Sequence, residues 1–217
     1  MRPSTSFDRS GFTLCWGLLG SVLLALGLTA CGGGTSGPSG YAQEVMQERV
    51  QRDMQMREKE SVIPPSRQSA FRGLDYYPVD TTYRYVVALQ RRPAPDTVLV
   101  PESTGQVRPQ VRIGEVAVPL PGGAATLTVF RGTSDDPRGR LWVPFADATN
   151  GDSTYKAGRY VDLMRTEDDS VVVDFNRAYN PTCAYNPEFA CPLPPRENRL
   201  DRPVPAGEKT PQFAGSA

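Results

Sequence analysis

The chain has 217 residues, of which 24 are Lys or Arg and 24 are Asp or Glu, so its formal net charge is zero. This balance argues against a nucleic-acid partner, which requires a basic surface. The sequence contains no histidine, which excludes Ser-His-Asp and Cys-His catalysis and His-ligated zinc or haem.

Residues 1–31 have the pattern of a targeting segment. Arg2 and Arg9 form a basic start, and a nearly continuous apolar run follows and ends in Leu28-Thr29-Ala30-Cys31. Small residues before a cleavage point indicate a signal peptide. The ending resembles the bacterial lipobox, which implies a lipid on Cys31 as the attachment to the membrane. The competing interpretation is a permanent membrane helix, because about 20 apolar residues can span a bilayer.

The residue after Cys31 bears on the destination of a lipoprotein. Gly32 is not the aspartate that retains lipoproteins in the inner membrane of enteric bacteria. We therefore expect a lipid-anchored protein of the bacterial cell envelope, at the outer membrane.

Two cysteines remain once Cys15 leaves with the signal peptide and Cys31 carries lipid. In an oxidising compartment we expect Cys183 and Cys191 to form a disulfide bond. In the chain-entropy model, closing a loop of this length contributes about 2.6 kcal/mol. A zinc site would be two ligands short, and redox pairs usually have Cys-x-x-Cys spacing. We expect no metal and no cofactor.

The segment that follows predicts a tether and a helix. Residues 32–40 are rich in Gly and Ser and form a flexible tether. Residues 41–63 predict a helix with an apolar stripe of period four, Met46, Val50 and Met54, that ends at Pro64-Pro65. The stripe favours packing of the helix on the domain, and a solvated stalk is the alternative.

Residues 64–209 predict a single mostly-β domain, followed by a tail at 210–217. Short runs alternate apolar and polar residues at Tyr83–Leu89, Val98–Val100, Leu127–Val129, Leu141–Phe145, Val161–Leu163 and Val171–Phe175. Turn residues separate them at Pro93–Asp96, Pro121–Gly123, Ser134–Pro137 and Asn150–Asp152. The pattern predicts a mainly β fold, an antiparallel sandwich or small barrel, with a short N-terminal helix and a long disulfide-stapled C-terminal loop.

Several long motifs resemble one bacterial family, domain of unknown function 1684. They are Phe71–Pro78, Pro144–Tyr155, Gly158–Tyr160, Asp174–Pro181 with both cysteines, Pro194–Leu200 and Ala206–Lys209. The resemblance covers about residues 65–209. It implies no established activity.

The polar residues after the last predicted strand form the candidate ligand site. Its members are Arg159, Asp174, Asn176, Arg177, Tyr179, Asn180, Glu197 and Asn198. In the functional hypothesis the arginines bind a small polar or anionic ligand, the asparagines orient it and the tyrosine covers it. In the structural alternative the same groups form a buried network that holds a long loop on the sheet.

Two function classes stay open at this point. The favoured one is a non-catalytic binding or assembly module of the envelope, with its protein partner and oligomeric state left open. The alternative is an envelope hydrolase that uses a carboxylate pair drawn from Asp147, Asp174 and Glu197. Convergence of these carboxylates at one open cleft would favour the hydrolase, and their burial against arginine would favour the module.

Overall fold

The computed structural model describes residues 40–132 and 139–214. The signal peptide, Cys31, most of the tether, the turn expected at Ser134–Pro137 and the last three residues lie outside these ranges. Within the described ranges, no helix is long and apolar enough to cross a membrane.

Six antiparallel strands form one sheet that closes into a barrel. They are β1 (Arg84–Pro101), β2 (Val107–Leu120), β3 (Gly123–Arg131), β4 (Leu141–Phe145), β5 (Arg159–Arg165) and β6 (Ser170–Asp174). Each strand pairs with its neighbour in sequence, and β6 pairs with β1 to close the ring. Closure leaves these strands without the free sheet edges that an open sandwich would have. The mainly β antiparallel prediction is therefore confirmed, in the form of a small barrel.

The first strand pairs with two different strands along its length. Residues 84–88 pair with β6, and residues 89–101 pair with β2. The predicted turn at Pro93–Asp96 is wrong, because this segment is an irregularity inside β1, where the register shifts between Arg91 and Asp96. Proline cannot donate to a ladder and is tolerated in a strand at such a bulge.

The period-two pattern places its apolar residues inside the barrel. Val171, Val173 and Phe175 are buried in the main core with Phe145 and Val161. Their neighbours in sequence point the other way, so Asp174 and Asn176 lie on the outer side of the wall, where other elements cover them.

Helix α1 (Gly40–Met56) lies on the outside of the barrel, but not on the face that its sequence suggested. Val45 and Met56 are its buried residues. The period-four residues Met46, Val50 and Met54 are 42%, 60% and 62% exposed. The expectation that this stripe packs on the domain is wrong, and a set of residues about a third of a turn away around the helix makes the contact.

The helix also ends earlier than expected, at Met56 rather than before Pro64. Pro65 instead begins a second short helix, α2 (Pro65–Gln68). A proline at the first helical position costs nothing, because its missing N–H would have no partner inside the helix.

A long irregular segment follows β6 and returns over the barrel. It contains 3-10 turns at Phe175–Arg177, Thr182–Ala184 and Arg196–Asn198. Both cysteines in it are buried and free, and the backbone N–H of Cys183 donates to Sγ of Cys191 at 3.0 Å. The predicted disulfide staple is thus not confirmed, although the structure brings the two residues into contact.

Candidate functional site

Arg159, the first residue of β5, forms a fully buried cluster that we call the arginine lock. Its Nη2 donates to Oδ2 of Asp147 at 2.7 Å, and neither side chain has any exposed surface. The same guanidinium donates to the backbone carbonyls of Val204, Ala206 and Glu208. Arg159 therefore ties the C-terminal segment to the barrel, and it does not join Asp174 and Arg177 as the ligand-site hypothesis expected.

Asp174 and Arg177 do contact each other, with Nη1 of Arg177 2.7 Å from Oδ2 of Asp174. The rest of this guanidinium is bonded to Glu48 and Glu44 of α1, at 2.7–2.9 Å. Hydrogen bonds to Glu48 and Asp174 raise the pKa of Arg177 above its usual value. Arg177 is thus saturated by three carboxylates, and its role is to hold α1 on the barrel.

Asp174 itself is almost completely buried beneath the helix. Both of its carboxylate oxygens accept from the Tyr41 hydroxyl at 2.8 Å, and one also accepts from the backbone N–H of Asn176. Burial, together with the bond to Asp174, raises the pKa of Tyr41. The Asp174 carboxylate is therefore fully engaged by the protein.

The three predicted asparagines are buried and bond to backbone or to neighbouring side chains. Asn176 exchanges two hydrogen bonds of 2.8 Å with the backbone of Asp80. Asn180 donates to Oε1 of Glu208 at 2.8 Å and to a backbone carbonyl. Asn198 accepts a hydrogen bond from the backbone N–H of Thr128 and donates to the backbone carbonyls of Thr128 and Pro144. It therefore bridges β3 and β4, which share only a short ladder of backbone hydrogen bonds. Each of these asparagines therefore forms hydrogen bonds with backbone groups elsewhere in the chain.

The last two predicted residues lie apart from each other. The Tyr179 hydroxyl donates to Oδ1 of Asp162 at 2.9 Å, and its ring lines a cleft beside α1. Glu197 is exposed to solvent. Of the eight predicted ligand residues, the structure thus brings Asn176, Arg177 and Tyr179 to this cleft.

The cleft lies between α1 and the barrel wall and has a volume of about 410 Å³. A second depression of about 280 Å³ shares Arg52, Arg140 and Tyr179 with it. We call the pair the arginine cleft, because four arginine side chains line it, those of Arg49, Arg52, Arg140 and Arg177. Apolar surface comes from Val45, Met164 and Ala178. Concave sites with an apolar lining and a few polar groups are typical of small-molecule binding.

Arg49 has a half-buried position on the wall of this cleft without a carboxylate partner among the described residues. Its Nη1 and Nη2 donate to the backbone carbonyls of Tyr77 and Asn176, both at 2.9 Å. Its guanidinium lies 4.5 Å from the centre of the Tyr76 ring, and its buried Nε has no hydrogen-bond partner. Burial lowers the pKa of Arg49. Asp174 and Glu208 favour the charged form of this guanidinium at longer range. An anion bound in the cleft would give the half-buried guanidinium a direct charged partner.

Arg52 contacts the cleft on one side and a buried carboxylate on the other. Its Nε is 3.5 Å from Oε2 of Glu208, and its guanidinium lies 4.9 Å from the centre of the Tyr179 ring. Glu208 is completely buried, and burial raises its pKa to about 7 although Arg52 and Asn180 favour the charged form. Because a neutral Glu208 leaves Arg52 without a counter-charge, protonation of Glu208 makes the cleft more positive.

Two carboxylates line the cleft, Glu48 of α1 and Asp162 of β5. Glu48 is bonded to Arg177. Asp162 lies 3.4 Å from Nη1 of Arg140, and burial raises its pKa against the effect of that arginine. No group of three or more carboxylate or thiol side chains positioned to hold a metal ion occurs in residues 40–132 and 139–214. With four arginines and two carboxylates, the cleft has the chemistry of an anion site.

Sequence reasoning missed Arg49, Arg52, Arg140 and Asp162 as site residues. The spacing of Glu48 and Arg52 is that of a surface ion pair along a helix, but each of them bonds to the segment after β6, Glu48 to Arg177 and Arg52 to Glu208. A signal was present, since Val45, Arg49, Arg52 and Met56 recur at the spacing of one helical face. Basic residues among the buried positions of a helix indicate a cleft or an ion pair beneath it.

Two of three comparisons with other proteins gave a match. A solved structure, the solution NMR structure of an uncharacterized protein of Haloarcula marismortui, is 33% identical, with a TM-score of 0.62, and the match covers 78% of this chain and 94% of that one. A search of curated proteins gave no match. Residues 69–209, more than half of the chain, match the family described as Protein of unknown function (DUF1684). The chain therefore belongs to the DUF1684 family.

Proposed function

We propose that this protein is a lipid-anchored module of the bacterial cell envelope that binds a small anionic ligand in the arginine cleft and does not catalyse a reaction. The lipobox-like ending at Cys31 and the Gly/Ser tether support the anchor and an outer-membrane location. The binding role rests on the cleft between α1 and the barrel.

The observation that carries the proposal is the position of Arg49. The other three cleft arginines each lie near a carboxylate, Glu208 for Arg52, Asp162 for Arg140 and Asp174 for Arg177. Arg49 instead has two carbonyl partners and an aromatic ring, and its buried Nε has no hydrogen-bond partner, as is also true of Arg52 and Arg159. A planar guanidinium of this kind matches a carboxylate or phosphate group, which can accept two hydrogen bonds from it.

The arrangement of the carboxylates supports a non-catalytic role. Asp147 is sealed against Arg159, Asp174 is saturated by Arg177 and Tyr41, and Glu197 is exposed. A glycosidase-type pair requires two carboxyl groups that face one substrate across a cleft. These three carboxylates do not meet at such a place.

One observation favours the hydrolase alternative at a different pair. Burial raises the pKa of both Glu208 and Asp162, and a carboxyl group with a pKa of about 7 is suited to act as a general acid. Both residues adjoin the arginine cleft through Arg52 and Arg140. A test of the proposal must therefore include these two carboxyl groups.

We also propose that Cys183 and Cys191 become bonded to each other in the exported protein. The backbone of one contacts the sulfur of the other, and both are buried together. Peptide mass spectrometry of the protein isolated from membranes, without reduction, should show the two cysteine peptides linked and two hydrogens lighter than the free pair. Two freely alkylated thiols would refute the bond.

The anchor has its own test, which does not depend on the cleft. The full chain should incorporate a radiolabelled fatty acid in cells, and Cys31→Ala should abolish the label and leave an uncleaved precursor. The matched control is Cys15→Ala, which lies within the signal segment and should be labelled like the parent. Equal labelling of the Cys31→Ala variant would rule out this anchor.

Binding is tested by native mass spectrometry of the full chain extracted from membranes in a mild detergent. We expect a small acidic molecule to remain bound to the parent protein and to be lost from Arg49→Met. Arg91→Met is the control, because Arg91 lies outside the cleft in a surface pair with Asp169. If both variants retain the same molecule as the parent, Arg49 does not bind it.

The hydrolase alternative is tested on the same preparation with glycoside, ester and phosphoester substrates. The proposal predicts no turnover for the parent. A reproducible activity that Glu208→Gln or Asp162→Asn removes, with circular dichroism unchanged, would establish the hydrolase instead.

A further inference from the structure

Helix α1 turns its charged side chains toward the body of the protein. Glu44 and Glu48 bond to Arg177, and Arg52 lies beside Glu208. Arg49 bonds to backbone carbonyls of the body, and Asp53 accepts from the backbone N–H of Leu74 at 2.7 Å. These five are all the Asp, Glu, Lys and Arg residues of the helix. Glu44 and Glu48 remain 62% and 46% exposed while they make these bonds, and the other three are partly buried against the body.

The outward face of the same helix carries no charge. Its residues form a stripe that we call the neutral stripe, Gln43, Met46, Gln47, Val50, Gln51 and Met54, and all six are exposed. The three apolar members are 42–62% exposed. They recur every four residues, so they lie in one row along a little over two turns of helix. The hydrophobic row of α1 therefore lies where a second surface can cover it.

We propose that the neutral stripe binds the neutral stripe of a second copy of this chain, with Val50 against Val50 at the centre. A two-fold interface brings the same patch of both subunits together, so it requires a patch that does not repel itself. A charged stripe would meet its own sign across a two-fold axis, whereas Met, Val and Gln can pack and hydrogen-bond with their own kind. Met and Val at a spacing of four residues can interlock with an identical row on the other helix.

The charge pattern also distinguishes a second copy from a membrane surface. Helices that lie in a membrane interface carry Lys and Arg on the polar side and Trp, Phe or Leu on the other. The arginines of α1 are engaged by the barrel, and the stripe has glutamine where such helices have lysine. An anionic lipid surface therefore gains nothing electrostatic from this face. No residue of the stripe lines the arginine cleft, so the two surfaces can be tested separately.

The test is the oligomeric state of the full chain in detergent, measured by size-exclusion chromatography with light scattering over a range of concentrations. The parent should change from monomer to dimer as the concentration rises. Val50→Glu places two like charges at the centre of the interface and should weaken association by about 30-fold or more. Gln55→Glu adds the same charge to an exposed position of α1 outside the stripe and should associate like the parent.

A second measurement shows contact directly. Val50→Cys should form a disulfide-linked dimer when membranes that contain the full chain are treated with a mild oxidant. Gln55→Cys and the parent should remain monomeric under the same treatment. A parent that is monomeric at every concentration, or a Val50→Glu variant that associates as strongly as the parent, would overturn the proposal and leave the stripe to a membrane or to a different protein.

Discussion

The arginine lock and the arginine cleft use the same side chain for opposite purposes. In the lock, the Arg159 guanidinium has a carboxylate and three backbone carbonyls as partners and no exposed surface. In the cleft, Arg49 has no carboxylate partner among the described residues, and Arg52 pairs with Glu208 and also lines an open depression. The number of partners that the protein itself supplies distinguishes a structural arginine from one that is available to a ligand.

The same distinction applies to the polar run after β6, whose asparagines have their partners within the protein. Asn176, Asn180 and Asn198 bond to backbone groups that would otherwise be buried without partners. The segment has little regular structure, so side-chain amides take the place of a ladder. Asn176, Arg177 and Tyr179 of this segment line the cleft together with residues of α1 and β5.

The largest effect is expected from breaking the lock. Arg159→Met leaves the buried Asp147 carboxylate without its counter-ion, and such losses cost about 3–5 kcal/mol of unfolding free energy. Urea denaturation followed by tryptophan fluorescence would measure it. Arg91→Met, which removes a surface pair, should cost less than about 1 kcal/mol. Similar losses for the two variants would contradict the distinction between a sealed and an exposed arginine.

The next effect concerns pH and Glu208. Its pKa is about 7 in the folded chain and about 4.5 without burial, so between these values the native state holds a proton that the unfolded state has released. The unfolding free energy therefore falls as the pH rises through this window and levels off above it, by an amount of order 3 kcal/mol. The difference in unfolding free energy between the parent and Glu208→Gln, followed from pH 4 to 8, isolates this contribution. A difference that does not vary with pH would show that Glu208 is ionised throughout.

A smaller effect is expected at the bridge between β3 and β4. Asn198→Ala removes the partners of three backbone groups, on Thr128 and Pro144, and should cost about 2 kcal/mol because buried polar groups are left unpaired. Thermal unfolding by circular dichroism would measure the loss. Glu197→Ala, at the exposed neighbouring position, should change stability by less than about 0.5 kcal/mol. Equal losses would mean that the amide bridge does not matter.

The sequence predicted the β fold of the barrel but not the residues of the arginine cleft, and the difference has physical reasons. The alternation of apolar and polar residues at Val171–Phe175 indicates that one side of a strand is buried. The structure confirms this, because Val171, Val173 and Phe175 lie in the core. The partner of Arg159 cannot be read locally, because the contact depends on how β4 and β5 are aligned. The stripe at Met46, Val50 and Met54 was assigned to the wrong side of α1, since periodicity shows that a face exists but not which surface covers it.

The most direct test of the account is anion binding by the cleft, measured by isothermal titration of the full chain in detergent with inorganic phosphate and, separately, with acetate as probes. We expect at least one probe to bind the parent and Arg91→Met alike, and Arg49→Met to bind about tenfold more weakly, because a charge-assisted hydrogen bond is worth roughly 1.5–3 kcal/mol. The unfolding free energy of Arg49→Met should equal or exceed that of the parent, since the variant removes a half-buried charge whose desolvation is unfavourable. Unchanged affinity in Arg49→Met, or loss of the fold, would contradict the claim that this arginine is held for a ligand.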